Sequence, residues 1–187
     1  LDDYGRNISG MFSGCSSLTN IIGFNKLNLS NITACGEMFR NCSSLTYIDM
    51  NGMNLGKCVT FDYMINNCTS LTHIDMSNVD MSACNTIMNF ANGCSLLKEV
   101  IGLNTVKFGD KIRMATDNAF RDCFKLEKID FKGSNFIIYR CMHMFNGCKK
   151  LGYIDFGDIE FTSLEDGAFN LVASETNTIE KMQFECP

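Results

Sequence analysis

The sequence predicts an α/β repeat: a solenoid of about seven coils with a parallel β-sheet face, a second short strand per coil, and short helical or 3-10 turns closing each coil. Three observations predict it. The segment "MFRNCSSLTYIDM" (38–50) returns nearly unchanged as "MINNCTSLTHIDM" (64–76). Cys15, Cys42, Cys68, Cys94, Cys123 and Cys148 sit in six copies of that frame, 27, 26, 26, 29 and 25 residues apart. The apolar residues after each cysteine fall on one template. A fixed period of this size marks coils that bury little alone and a continuous core when stacked.

Each element follows from the template. Leu45, Ile48 and Met50, then Leu71, Ile74 and Met76, Leu126, Ile129 and Phe131, and Leu151, Ile154 and Phe156 read L-x-x-I-x-M/F. The last two of each trio are two residues apart, so both face inward from a short strand, and the residue between them faces out. A second alternating pair follows a bend: Met53/Leu55, Val79/Met81, Val106/Phe108 and Ile159/Phe161. A polar stretch then leads to "MF" or "AF", a small polar residue and the cysteine. That pattern fits one turn of helix or 3-10 helix turning two apolar side chains inward. Copies start near residues 11, 38, 64, 90, 119, 144 and 168, the last without its cysteine, so residues 1–187 read as a single solenoid domain. The first and fourth copies depart from the frame with "NIIGF" and "EVIGL". Neither end reads as the polar cap that a solenoid's open end needs, so the chain is expected to be a segment of a longer protein.

The composition narrows the function. The chain has 187 residues, 45% hydrophobic and 20% charged, with net charge −5. No basic stripe is present to track a phosphate backbone, which speaks against nucleic acid as a partner. No apolar run approaches the ~18 residues of a membrane helix, so no membrane insertion is expected within this segment. Eleven cysteines are unusual, but no CxxC pair suggests zinc and an odd number cannot all pair within the chain. A small, weakly polar residue suits a buried column, so the repeated cysteine reads as a packing residue. Cys58 and Cys84, six residues before the next frame, and Cys35 and Cys141, three before it, read as inward positions on the return side. Cys186 fits neither set.

The frame "MFRNCSSLTYIDM…MF", with "AFRDCFKLEKIDF", resembles the BspA-type leucine-rich repeat of bacterial and protist surface proteins. The resemblance covers residues 11 to about 184. It implies a leucine-rich-repeat solenoid displayed extracellularly or at a cell surface, working in adhesion or protein recognition. It supplies no catalytic residues, so no enzyme activity is expected.

The outward strand positions form two columns. One holds Tyr47, His73, Glu99, Lys128, Tyr153 and Lys181; the other holds Asp49, Asp75, Asp130 and Asp155. Aromatic and long polar side chains on one face suit recognition of a protein or glycan ligand. The aspartates could do acid/base or Ca²⁺ chemistry, but they recur because the repeat recurs, and a bend offers them backbone N–H partners. His73 and His143 fall on different faces. No cofactor and no metal site are expected. Among the Asn-x-Ser/Thr sequons, Asn28 and Asn31 are the better placed for glycosylation, whereas Asn41 and Asn67 belong to the turn frame. The sequence thus points to a non-enzymatic interaction module binding through its sheet face. The alternative is a building block of a larger extracellular or virion assembly, its partners being neighbouring subunits.

Overall fold

A 26-residue repeat returns the chain to the same place one strand further on, so equivalent segments pair in parallel. The computed structural model describes residues 6–163 and 181–183, and it is a parallel β-solenoid. The strands in chain order are β1 (Tyr47–Asp49), β2 (His73–Asp75), β3 (Asp80–Met81), β4 (Glu99–Ile101), β5 (Lys107–Phe108), β6 (Arg113–Ala115), β7 (Lys128–Asp130), β8 (Ile137–Arg140), β9 (Tyr153–Asp155), β10 (Glu160–Phe161) and β11 (Lys181–Gln183). The main sheet runs β1-β2-β4-β7-β9-β11. Its register pairs Ile48 with Ile74, Ile74 with Val100, and Ile129 with Ile154, all buried under the sheet.

Like lies over like in the core. Leu45, Leu71, Leu97, Leu126 and Leu151 are buried, as are Met50, Met76, Phe131 and Phe156 one column on. Rings in one column stack nearly flat: Phe12 on Phe39 at 5.4 Å and 1°, Phe120 on Phe145 at 5.7 Å and 6°. Each such pair adds about 0.5–1.5 kcal/mol to the gain from burial.

The segment carrying "MF" and the cysteine differs from expectation. No α-helix occurs among the described residues, so the α/β part of the expected class is not seen. The segment is instead a run of tight turns. Phe39 donates its N–H to Met64 O of the next coil, while Arg40 and Cys42 donate to Glu37 O and Phe39 O within their own. Alternate amides thus point along the solenoid axis and back into the turn. The geometry needs left-handed residues four apart: Glu37 and Asn41, Tyr63 and Asn67, Asn89 and Gly93, Asn118 and Asp122, His143 and Gly147. A positive φ breaks helical continuation, and Gly, Asn and Asp tolerate it best.

The second strand is also less regular than expected. β3 pairs with β5, and β8 pairs with β10 on one side and β6 on the other, but Met53 to Leu55 contributes only an isolated bridge, Asn54 to Asp80. The inward pair holds at Met53, Leu55, Val79 and Met81, all at most 2% exposed, whereas Phe108 and Phe161 are only half-buried against the core. The two departures from the frame have a shared structural outcome. Gly23 and Gly102, both left-handed, open 3-10 turns at Phe24–Lys26 and Leu103–Thr105 that bury Phe24 and Leu103. A Cβ on Gly102 would lie 2.5 Å from Ser77 Cα, so only glycine lets the two coils approach there. The copy that starts near 168 lies outside the described residues except for β11.

Candidate functional site

The outward face of the main sheet carries the candidate surface, and the register decides which side chains are neighbours. Tyr47 pairs with His73, His73 with Glu99, Glu99 with Lys128, Lys128 with Tyr153, and Tyr153 with Lys181. This is the column read from sequence. Tyr47 is 38% exposed, Lys128 is exposed, and His73, Glu99 and Tyr153 are half-buried. Lys128 Nζ lies 5.1 Å from the Tyr153 ring centre and 3.0 Å from Asp130 Oδ2. The hydrogen bond to Asp130 raises the Lys128 pKa, which keeps the ammonium charged. Desolvation, then the carboxylates of Asp49 and Asp75, raise the Tyr47 pKa, so its hydroxyl remains a donor. His73 Nδ1 contacts Thr72 Oγ1 at 3.1 Å.

The aspartate column has a different task. Asp49, Asp75, Asp130 and Asp155 each accept the backbone N–H two residues on, from Asn51, Ser77, Lys132 and Gly157, at 2.9–3.1 Å. These are Asx-turns that fold the chain out of the strand. Their second oxygens are partly used as well: Asp49 Oδ2 accepts from Asn25 at 2.8 Å and Asp155 Oδ2 from the Tyr153 hydroxyl at 3.1 Å. Among the described residues no group of three or more His, Cys, Asp or Glu could hold a metal ion.

Between β4 and β7 the sheet pairs only at Glu99 and Lys128. A polar recess opens there, lined by Glu99, Gly102, Asn104, Lys128 and Asp130. It lies where the 29-residue spacing and the Leu103–Thr105 turn interrupt the repeat. Sequence reading noted the insertion at "EVIGL" but not the recess it makes.

The cysteine column is buried and acts as a hydrogen-bond ladder. Cys42 Sγ donates to Phe12 O at 3.0 Å, Cys68 to Phe39 O at 3.0 Å, Cys94 to Ile65 O at 2.9 Å, Cys123 to Ala91 O at 3.2 Å and Cys148 to Phe120 O at 3.0 Å. Each carbonyl belongs to the preceding coil and already accepts its own coil's cysteine N–H. The thiol fills a second lone pair that an alanine or valine would leave bare. Of the ten described cysteines Cys15 is exposed and the rest are buried; Cys186 lies outside the described residues. The five ladder thiols, buried and each bonded to a carbonyl of the preceding coil, are packing elements and not nucleophiles.

Sequence reading missed Asp62 and Asp117. Asp62 Oδ1 accepts Thr86 Oγ1 at 2.6 Å and Met88 N at 2.7 Å; Asp117 Oδ1 accepts Met142 N at 2.9 Å and pairs with Arg140. Both sit at one turn position and tie adjacent coils together. Their shared place two residues before "MI" and "AF" was the available signal. His143 lies at a left-handed turn position, away from His73 on the sheet. Asn28 and Asn31 are both exposed, and Asn31 Oδ1 accepts from Lys57 at 2.8 Å. Asn41 and Asn67 hold the left-handed turn positions, and Asn67 donates to Asn41 at 3.1 Å.

Comparison with known proteins assigns the repeat. Residues 93–185 match the BspA type leucine rich repeat region, in six copies. Residues 6–104 match a family described as a Mycoplasma protein of unknown function, DUF285. No curated protein and no solved structure matches the chain. The second of these models spans more than half of the chain, which belongs to that family, and the remaining half carries the BspA type leucine rich repeat region in the same continuous parallel sheet.

Proposed function

We propose that this chain is a non-enzymatic recognition module, one solenoid of about seven coils over residues 1–187, displayed outside a cell and binding a protein or glycan through its sheet face. The observation that carries the reading is the division of labour between the two outward columns. The aspartates are occupied in Asx-turns. Tyr47, His73, Glu99, Lys128 and Tyr153 form a row beside them, in register from strand to strand. Tyrosines supply rigid contact area at low entropic cost, and the recess at Glu99, Asn104 and Lys128 offers both charges to a partner's polar group. The family resemblance supports surface display, and glycans at Asn28 and Asn31 would lie clear of the sheet.

The test is solid-phase binding of the purified chain to extracellular-matrix proteins and to a glycan array. A bound ligand should be lost on Tyr47→Ala with Tyr153→Ala, while Lys57→Ala on the return side leaves it intact. Binding unaffected by the tyrosine changes would remove the sheet face from the account.

A second reading, a building block of an extracellular or virion assembly, draws on Ile22, an apolar side chain 93% exposed at the position where the next two coils carry Asp49 and Asp75. Concentration-dependent growth in light scattering, abolished by Ile22→Asp, would favour it.

A further inference from the structure

Two buried thiols stand apart from the ladder. Cys35 and Cys58 are 23 residues apart in sequence, both 0% exposed, and their sulfurs are 2.7 Å from each other. Unbonded carbons, which are smaller, keep about 3.5–4.0 Å; a disulfide bond is about 2.05 Å. The five ladder thiols each own a backbone carbonyl at 2.9–3.2 Å. Cys35 and Cys58 instead share a single acceptor, Thr60 O, at 3.5 and 3.4 Å. The stacking explains the encounter. Ala34 bridges Thr60, so Cys35 enters the core beside the rung that Cys58 has just left. Cys84 repeats the Cys58 position one coil on and contacts Thr86 O, but no cysteine faces it as Cys35 faces Cys58.

We propose that Cys35 and Cys58 form an intrachain disulfide when the chain folds in the presence of a small-molecule disulfide. In the first step the Cys58 thiolate attacks one sulfur of RSSR, giving Cys58–S–S–R and releasing RS⁻. In the second, Cys35 passes its proton to that thiolate and attacks Cys58 Sγ, expelling a second RS⁻ that takes up the Cys58 proton. The two protein thiols lose two electrons and RSSR becomes two RSH. The hydrogen bond from Cys35 lowers the Cys58 pKa, which fits Cys58 as the first attacker. Burial, the first of several causes, raises Cys35, which fits its waiting for the mixed disulfide. Burial also raises Cys42, Cys94, Cys123 and Cys148 in the ladder, and exchange there would cost a hydrogen bond to the neighbouring coil.

The experiment refolds the reduced chain in reduced and oxidised glutathione, alkylates it in denaturant and maps it by trypsin and mass spectrometry. Trypsin cleavage at Arg40 and Lys57 separates the two cysteines, and a second digestion before Asp62 separates Cys58 from Cys68, Cys84 and Cys94, which trypsin leaves on the same peptide. The expected product is the Cys35 peptide joined to the Cys58 peptide, with Cys42, Cys68, Cys94, Cys123 and Cys148 alkylated. Closing a loop of this length should raise the melting midpoint by roughly 5–10 °C, a gain lost on reduction. Cys35→Ala and Cys58→Ala should each abolish the reduction-sensitive part. The wild-type map decides the matter even if those variants fold poorly. Full alkylation of both residues, or a bridge joining either to a ladder cysteine, overturns the proposal.

Discussion

Replacing Gly93 by alanine tests the register of the stack at one atom. Gly93 holds the left-handed turn position at φ 80°. A Cβ built there would lie 2.3 Å from Asn67 Oδ1 of the preceding coil. Two costs add. Placing an L-residue in the left-handed region costs about 1–2 kcal/mol. The Asn67 amide must also swing away, losing its 3.1 Å bond to Asn41 and its preferred rotamer, for about another 1 kcal/mol. Gly133 supplies the control: its φ is 81° and no heavy atom lies within 4 Å of its added Cβ. Gly133→Ala should therefore cost about 1–2 kcal/mol and Gly93→Ala about 2–3 kcal/mol, read from urea midpoints by circular dichroism at unchanged m value. In an Asn67→Gly background the excess at Gly93 should vanish, a coupling of about 1 kcal/mol. Equal costs at the two glycines, or a coupling indistinguishable from zero, would mean that Asn67 does not lie over Gly93 and that the coils are out of step.

Other outcomes follow from the same contacts. Burial raises the Cys42 thiol to about 11 and the Cys148 thiol to about 12, and pushes Cys94 and Cys123 up as well. Below the unfolded value, about 8.5, all are protonated in both states and the full stability is present. Above it the unfolded chain ionises first, so stability should fall by about 1.4 kcal/mol per pH unit per thiol until the folded values are reached. Urea midpoints of the reduced chain should drop steeply between pH 9 and 11; a flat profile would contradict the buried ladder. Asp155 is 5% exposed and caps Gly157 N, so Asp155→Ala should cost about 1–3 kcal/mol while Asp155→Asn, which keeps the acceptor, stays within about 1 kcal/mol. Equal losses in the two variants would show that charge, and not the Asx-turn, is what the position supplies. Asp117→Ala removes the partner of both Met142 N and Arg140 and should cost about 2–4 kcal/mol by the same assay, whereas Lys107→Ala, at the exposed pair with Asp80, should cost under about 1 kcal/mol. A cheap Asp117→Ala would contradict its role as a tie between coils.

Much of the architecture was legible because the repeat fixes register twice over, through the apolar columns and through the cysteine spacing. Ile48 over Ile74 and Tyr47 over His73 required only that equivalent residues coincide. The turns were misread for a local reason. "MF" followed by a polar residue and cysteine has the apolar pairing of a helical turn. The decisive signal was Gly14, Asn41, Asn67, Gly93, Asp122 and Gly147 at the residue before each cysteine, a set that shares tolerance of positive φ, and all but Gly14 have a further left-handed residue four positions earlier that is not glycine. The aspartate column could be seen in sequence, but its partners are backbone amides, which carry no residue letter. The recess beside Glu99 arises where the coil spacing changes, and Cys35 meets Cys58 from a different position in its own coil, so no single repeat displays either.

The repeated cysteine is an interior hydrogen-bonding rung, and timed thiol alkylation of the native, reduced chain tests this residue by residue. Cys15, which is exposed, should label at the rate of a free thiol. Cys42, Cys68, Cys94, Cys123 and Cys148 should label only as fast as their coils open, slower by orders of magnitude and speeding up with added urea. Ladder thiols that label alongside Cys15 in native buffer would contradict the stacked core, and with it the placement of every side chain on the sheet face.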